Sequence, residues 1–244
     1  MNDPRPWIIR KLSESAVLES ELHKPGFESI GAHGLRVLRK GRPHAMVYCA
    51  GVDGEGAFGV KDLDHALDEL PETQFVVVVP RQIDNAVYAR AEEIGLCVEG
   101  FGELTAALQD DDNVSHHLPR EHAYVARRLR ARKMVRSVRR CGFSTYEIKR
   151  TNLPDLMVIT SDEYELTADD VYSLLETCDF DVNAVAATNP NVRGLSRDAL
   201  RAGQMASVRV LQQPGFGGVC SMCPQVVAGG TPMSHNRDDV HRGA

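Results

Sequence analysis

A chain of 244 residues, 43% hydrophobic and 25% charged, has the composition of a folded protein and not of a disordered one. Its net charge of −6 removes any global attraction to nucleic acid or anionic membranes, and no window reaches the ~18 consecutive apolar residues of a membrane span. Met1-Asn2-Asp3-Pro4 does not open a signal peptide, because Ile8-Ile9 runs at once into Arg10-Lys11, so a cytoplasmic protein with no membrane partner is expected. The cysteines (Cys49, Cys97, Cys141, Cys178, Cys220 and Cys223) are spread along a long chain without an export signal, which argues against a disulfide framework.

Along the chain, residues 13–22 have the spacing of a short helix with Ser13 as N-cap, broken by Lys24-Pro25-Gly26. Leu35-Arg36-Val37-Leu38-Arg39 reads as an edge strand, and residues 44–50 as a strand ending at Gly51. A turn with Gly51, Gly54, Gly56 and Gly59 follows. Leu63, Ala66, Leu67 and Leu70 then mark an amphipathic helix closed by Pro71. Phe75-Val76-Val77-Val78-Val79, stopped by Pro80, suits a strand buried on both faces. A helix over 85–94 ends at Gly95, and a short strand over 96–98 leads through Gly100-Phe101-Gly102 into another short helix.

The polar stretch 109–119, ending in Pro119, is the natural linker, and residues 120–140 read as one basic helix stopped by Gly142. The earlier order then returns. Strands are expected over 144–150 and 156–159, and Thr167 with Asp170 gives a capping-box start to a helix that reaches Cys178. A strand over 182–187, a helix over 196–205 and a strand over 208–211 complete it, before Gly215-Phe216-Gly217. Both halves carry Arg-Ala inside the helix that precedes the closing short strand (Arg90-Ala91 and Arg201-Ala202), consistent with an internal duplication.

The expected fold is therefore α/β: two tandem small domains with mainly parallel sheets and flanking helices. The first domain spans 1–110, a linker 111–119, the second domain 120–217, and a flexible tail 218–244.

Five constellations carry candidate chemistry. In the tail, Cys220, Cys223, His235 and His241 follow the order and approximate spacing of Zn²⁺ ligands, although Gly229-Gly230-Thr231-Pro232 breaks any helix before His235. The glycine turn after the strand at 44–50 resembles a phosphate-binding loop in its setting. It lacks Gly-Lys-Ser/Thr, and Asp53 and Glu55 would repel phosphate. His116 and His117 sit in the linker, close enough in sequence to join His122 at a metal. Arg127, Arg128, Arg130, Arg132, Lys133, Arg136, Arg139 and Arg140 concentrate positive charge with no intervening acid, a candidate contact for nucleic-acid phosphates, with a solvated basic helix as the plain alternative.

Finally, Glu147 and Lys149 flank Ile148 on a strand, so both side chains share a face, and Asp155 follows after Pro154. Two carboxylates to hold Mg²⁺ and a lysine beside the attacking water are what a metal-dependent nuclease requires. The strand–helix–strand units, most closely residues 75–104 and less so 182–211, resemble the C-terminal half of the restriction-endonuclease-like fold of Mrr-type and NERD-type proteins. That resemblance implies a Mg²⁺ site at Glu147, Asp155 and Lys149. Two departures point to degenerate modules. The family's metal-binding aspartate precedes its Glu-x-Lys strand, whereas Asp155 follows; and the matching strand of the first half, Met46-Val47-Tyr48-Cys49-Ala50, holds neither acid nor lysine. The expected function is a non-catalytic nucleic-acid-associated protein, with a Mg²⁺-dependent nuclease and a protein-interaction scaffold as alternatives.

Overall fold

The computed structural model describes residues 3–15, 18, 25–51, 56–178, 180–189, 191–192, 194–212 and 220. The elements begin with helix α1 (Arg5–Ser13), a strand meander β1 (Gly26–Ile30), β2 (Gly34–Leu38) and β3 (Ala45–Ala50), then α2 (Val60–Glu69), β4 (Phe75–Val78), α3 (Asn85–Ile94), β5 (Cys97–Glu99) and α4 (Phe101–Asp110). A 3₁₀ turn at Val114–His116 leads to α5 (Arg120–Arg130) and a second meander, β6 (Val135–Arg140), β7 (Thr145–Arg150) and β8 (Leu156–Ser161). Then come β9 (Glu165–Leu166), α6 (Ala168–Glu176), β10 (Ala184–Ala187), β11 (Gly194–Leu195), α7 (Arg197–Met205) and β12 (Arg209–Gln212).

The sheets are mixed, which corrects the mainly parallel expectation. One sheet has the order β1-β2-β3-β4-β5 and the other β12-β10-β8-β7-β6. In each, the three meander strands pair antiparallel and the later strands add in parallel. The antiparallel part was hidden because β1 and β6 are edge strands with polar faces (Gly26-Phe27-Glu28-Ser29-Ile30 and Val135-Arg136-Ser137-Val138-Arg139-Arg140), which give weak hydrophobic alternation. The order helix, three-strand meander, helix, strand, helix, strand occurs twice. The Arg-Ala pairs fall at equivalent places: Ala91 of α3 and Ala202 of α7 are both buried.

Each sheet is covered on both faces. In the first, Phe75 and Val77 of β4 pack with Ile8 and Leu12 of α1 and with Leu104 and Leu108 of α4. Val76 and Val78 face the other way, onto Leu63 and Ala66 of α2 and Val87 and Ala91 of α3. Every β4 side chain is thus withdrawn from water, each contributing roughly 1.5–3 kcal/mol, so a continuous apolar run is stable here. In the second sheet, Val138, Tyr146, Ile148 and Val158 meet Val125 and Leu129 of α5, while Val185 and Val210 meet Val171 of α6 and Ala199 and Ala202 of α7.

Local signals set most boundaries. Gly95 closes α3 at φ 70°, a left-handed conformation that costs glycine nothing. Thr167 Oγ1 accepts from Asp170 N, while Asp170 Oδ2 accepts from Thr167 N at 2.8 Å, so the capping box opens α6 as expected. Three boundaries move. Ser13 ends α1, whose first turn holds Pro6 where a missing N–H costs nothing, and the expected helix over 13–22 otherwise falls mostly outside the described residues. The basic segment 120–140 is not one helix; α5 stops at Arg130, and Val135 and Val138 carry the rest into β6, where β-branched side chains fit the pleat. The stretch 111–119 is tied down on the first sheet's side. Val114 is fully buried in that core, and the His117 ring lies between Asp111 Oδ2 at 2.6 Å and Glu103 Oε2 at 2.9 Å.

Candidate functional site

The basic cluster divides by strand and helix geometry. On α5 the inward stripe is His122, Val125, Ala126 and Leu129, which turns Arg127, Arg128 and Arg130 outward. Arg127 and Arg128 both lie over the Tyr124 ring, at 5.9 and 6.0 Å from its centroid. The tight turn after α5 exposes Lys133, and β6, the edge of its sheet, exposes Arg136. None of Arg127, Arg128, Arg130, Lys133 and Arg136 has a carboxylate within salt-bridge distance among the described residues. Carried by α5, the turn after it and the adjoining β6, they leave a band of positive charge exposed without a carboxylate partner among the described residues, and charge on an edge strand disfavours pairing with another chain.

The other three expected phosphate contacts are built into the protein. Arg132 is half-buried. Arg139 donates through Nε to Glu147 Oε2 and through Nη1 to Glu93 Oε1 of α3, both at 3.0 Å. Arg140 is 8% exposed and is thereby removed from the expected nucleic-acid contacts. Arg140 shares the inward face of Val138, and the bulge between Val135 and Ser137 takes Arg136 out of that alternation. The Arg140 guanidinium donates to Glu99 Oε1 at 2.5 Å and to the Phe143 carbonyl at 3.0 Å, and packs 4.1 Å above the Tyr88 ring.

Glu147 and Lys149 do lie on one strand, β7, and the register that pairs Ile148 with Leu156 brings Asp155 to the Lys149 end of it. Lys149 and Asp155 are exposed and Glu147 is half-buried. The carboxylate that should hold Mg²⁺ is instead bound by the Arg139 guanidinium, a donor set that does not fit a divalent cation. Among the described residues, no three His, Cys, Asp or Glu side chains are grouped to hold a metal ion. Of the Zn²⁺ candidates, Cys220 is fully buried in the second core, where its carbonyl accepts from Arg150; Cys223, His235 and His241 lie outside the described residues. Residues 52–55 of the glycine turn lie outside them as well.

His122 does not join a metal cluster with His116 and His117. It is buried, and the Tyr146 hydroxyl donates to its Nδ1. Burial, with Arg140 nearby, pushes its pKa down to about 3, so the ring is neutral at pH 7. Burial pushes the Glu99 carboxyl up, opposed by Arg140 beside it.

Sequence reading missed the surface where the two halves meet. The β6–β7 hairpin tip, Cys141-Gly142-Phe143-Ser144, reaches over the first half. Asn85, first residue of α3, accepts from Phe143 N at 3.0 Å and donates to the Thr177 carbonyl at 2.6 Å. Between them opens a cleft of about 730 Å³, lined by Arg81, Asn85, Tyr88, Glu99, Phe143 and Thr145 among others. It lies at the carboxyl ends of β4 and β5, where open α/β sheets place their ligands. The only sequence signal was Phe143 itself, an aromatic residue placed directly after glycine in a turn.

Compared with family models, with curated proteins and with solved structures, the chain matches none. Among the described residues, no helix is long and apolar enough to cross a membrane.

Proposed function

We propose that this chain binds nucleic acid through its phosphate backbone, without cutting it, and that its halves are two tandem, degenerate restriction-endonuclease-like modules. The observation that carries the reading is the band of exposed cations Arg127, Arg128, Arg130, Lys133 and Arg136, which have no carboxylate partner among the described residues. Unpaired charge on a molecule of net charge −6 is free to attract phosphate locally, and no desolvated partner has to be released first. The twice-repeated element order supports two modules, and the Arg139 guanidinium on Glu147 supports an inert one.

The test is duplex DNA binding as a function of salt. With three to five phosphate contacts, log K should fall with log salt at a slope of roughly −3 to −4.5. Arg127→Glu combined with Arg136→Glu should flatten that slope. A salt-independent affinity would remove the reading.

A Mg²⁺-dependent nuclease using Glu147, Lys149 and Asp155 is the second reading, favoured by Glu147 and Lys149 alternating onto one face of β7 with Asp155 across from Lys149. It requires Arg139 to leave Glu147.

A further inference from the structure

Phe143 is out of place by ordinary packing rules. It is 62% exposed on a tight hairpin, yet its ring meets Tyr88 at 6.3 Å and His122 at 6.1 Å, both edge-to-face. Neither contact is stacked, and at that exposure ring surface remains for a stacked partner. The residue also stands at a junction: it lines the 730 Å³ cleft and two smaller ones on its other sides.

The chemistry of the main cleft selects its ligand. Its volume is that of a small-molecule site. Its charges are nearly spent: Glu99 is paired with Arg140, and Arg81 donates to Asp62 Oδ2 at 3.0 Å. What remains is an aromatic wall, hydroxyls and amides at Ser144, Thr145 and Gln82, and the Asp84 carboxylate. Nothing there compensates a phosphate. The adjoining cleft repels one, being lined by Glu121, Asp162, Glu163 and Asp170 with no lysine or arginine. A neutral, flat, polar-edged ring fits instead.

We propose that the cleft takes an unpaired nucleobase stacked on Phe143. This rests on the backbone-binding reading for its polymer form: β6 carries Arg136 near its start and runs toward the Phe143 hairpin, so a strand held on the basic band can deliver a base to the cleft. Stacking is tolerant of sequence, so single strands should be preferred over duplex without a strong base preference.

The experiment uses the full chain and two probes. Free 2-aminopurine riboside should be quenched saturably. A single-stranded oligonucleotide containing one 2-aminopurine should bind roughly tenfold tighter than the same sequence in a duplex, the size of one stacked base. Phe143→Ala should abolish both effects and Phe143→Trp should retain them. Gly100→Trp should block the cleft independently: Gly100 lines it at φ −76°, and a Cβ there meets nothing within 4 Å. No riboside quenching together with equal single-strand and duplex affinities would overturn the cleft proposal. If salt-dependent duplex binding persisted in that case, the backbone reading would stand alone. Riboside quenching lost in Phe143→Ala, with no oligonucleotide bound at any salt, would support the cleft and reject the backbone reading.

Discussion

Arg140, at the end of β6, reaches Glu99, at the end of β5, at 2.5 Å, and both side chains are almost fully buried. One charge comes from each half of the chain. Taking either from water is costly, and the pair is tolerated because the guanidinium also donates to two backbone carbonyls, Gly142 and Phe143, and lies over Tyr88. Removing one partner leaves the other buried and uncompensated. Glu99→Leu or Arg140→Met alone should cost about 3–5 kcal/mol in urea denaturation, and the double variant should recover much of that loss. Equal losses in single and double variants would show that the pair is not coupled.

His122 makes stability depend on pH. Its folded pKa of about 3 lies below the unfolded value near 6.5, so between them the unfolded chain binds the extra proton. Stability contributed by the neutral ring is complete above about pH 6.5 and is lost progressively as pH falls toward 3. From pH 7.5 to pH 5 this amounts to about 2 kcal/mol from this one group. Denaturation midpoints of wild type and His122→Gln at the two pH values isolate it; the same drop in both would assign the effect to other groups.

Gly142 has no room for a side chain. A Cβ there would lie 2.5 Å from Asn85 Oδ1, and Asn85 is held by Phe143 N and the Thr177 carbonyl. Gly142→Ala should therefore displace Asn85 and cost about 1–3 kcal/mol. Gly100→Ala, into open space, should be nearly silent by the same melting measurement.

Glu147 distinguishes the two functional readings. With Arg139 at its carboxylate, plasmid incubated with Mg²⁺ or Mn²⁺ should stay supercoiled with wild type and Glu147→Gln alike. Arg139→Gln should leave it intact too. Nicking by wild type that disappears in Glu147→Gln would establish the nuclease and displace the binding reading.

Much of the architecture was legible because buried strands and capped helices write themselves locally. The run Phe75 to Val78, the stop at Gly95 and the Thr167–Asp170 box each depend on neighbours a few residues away, and each falls where the pattern puts it. The edge strands were illegible, since β1 and β6 bury little and so carry little periodicity. The same weakness made the arginines from 127 to 140 look like one helical surface.

What the sequence determined by itself is the repeated strand–helix order and the presence of a basic segment, because both follow from residue type and short-range spacing. Only the tertiary structure decided that the two sheets are mixed, and which arginines face water. The bulge between Val135 and Ser137 leaves Arg136 exposed while Arg140 follows Val138 inward, and the partner that makes an inward arginine tolerable, Glu99, lies 41 residues earlier in the chain. A charge can be read from one residue. Its availability depends on what the fold has brought beside it.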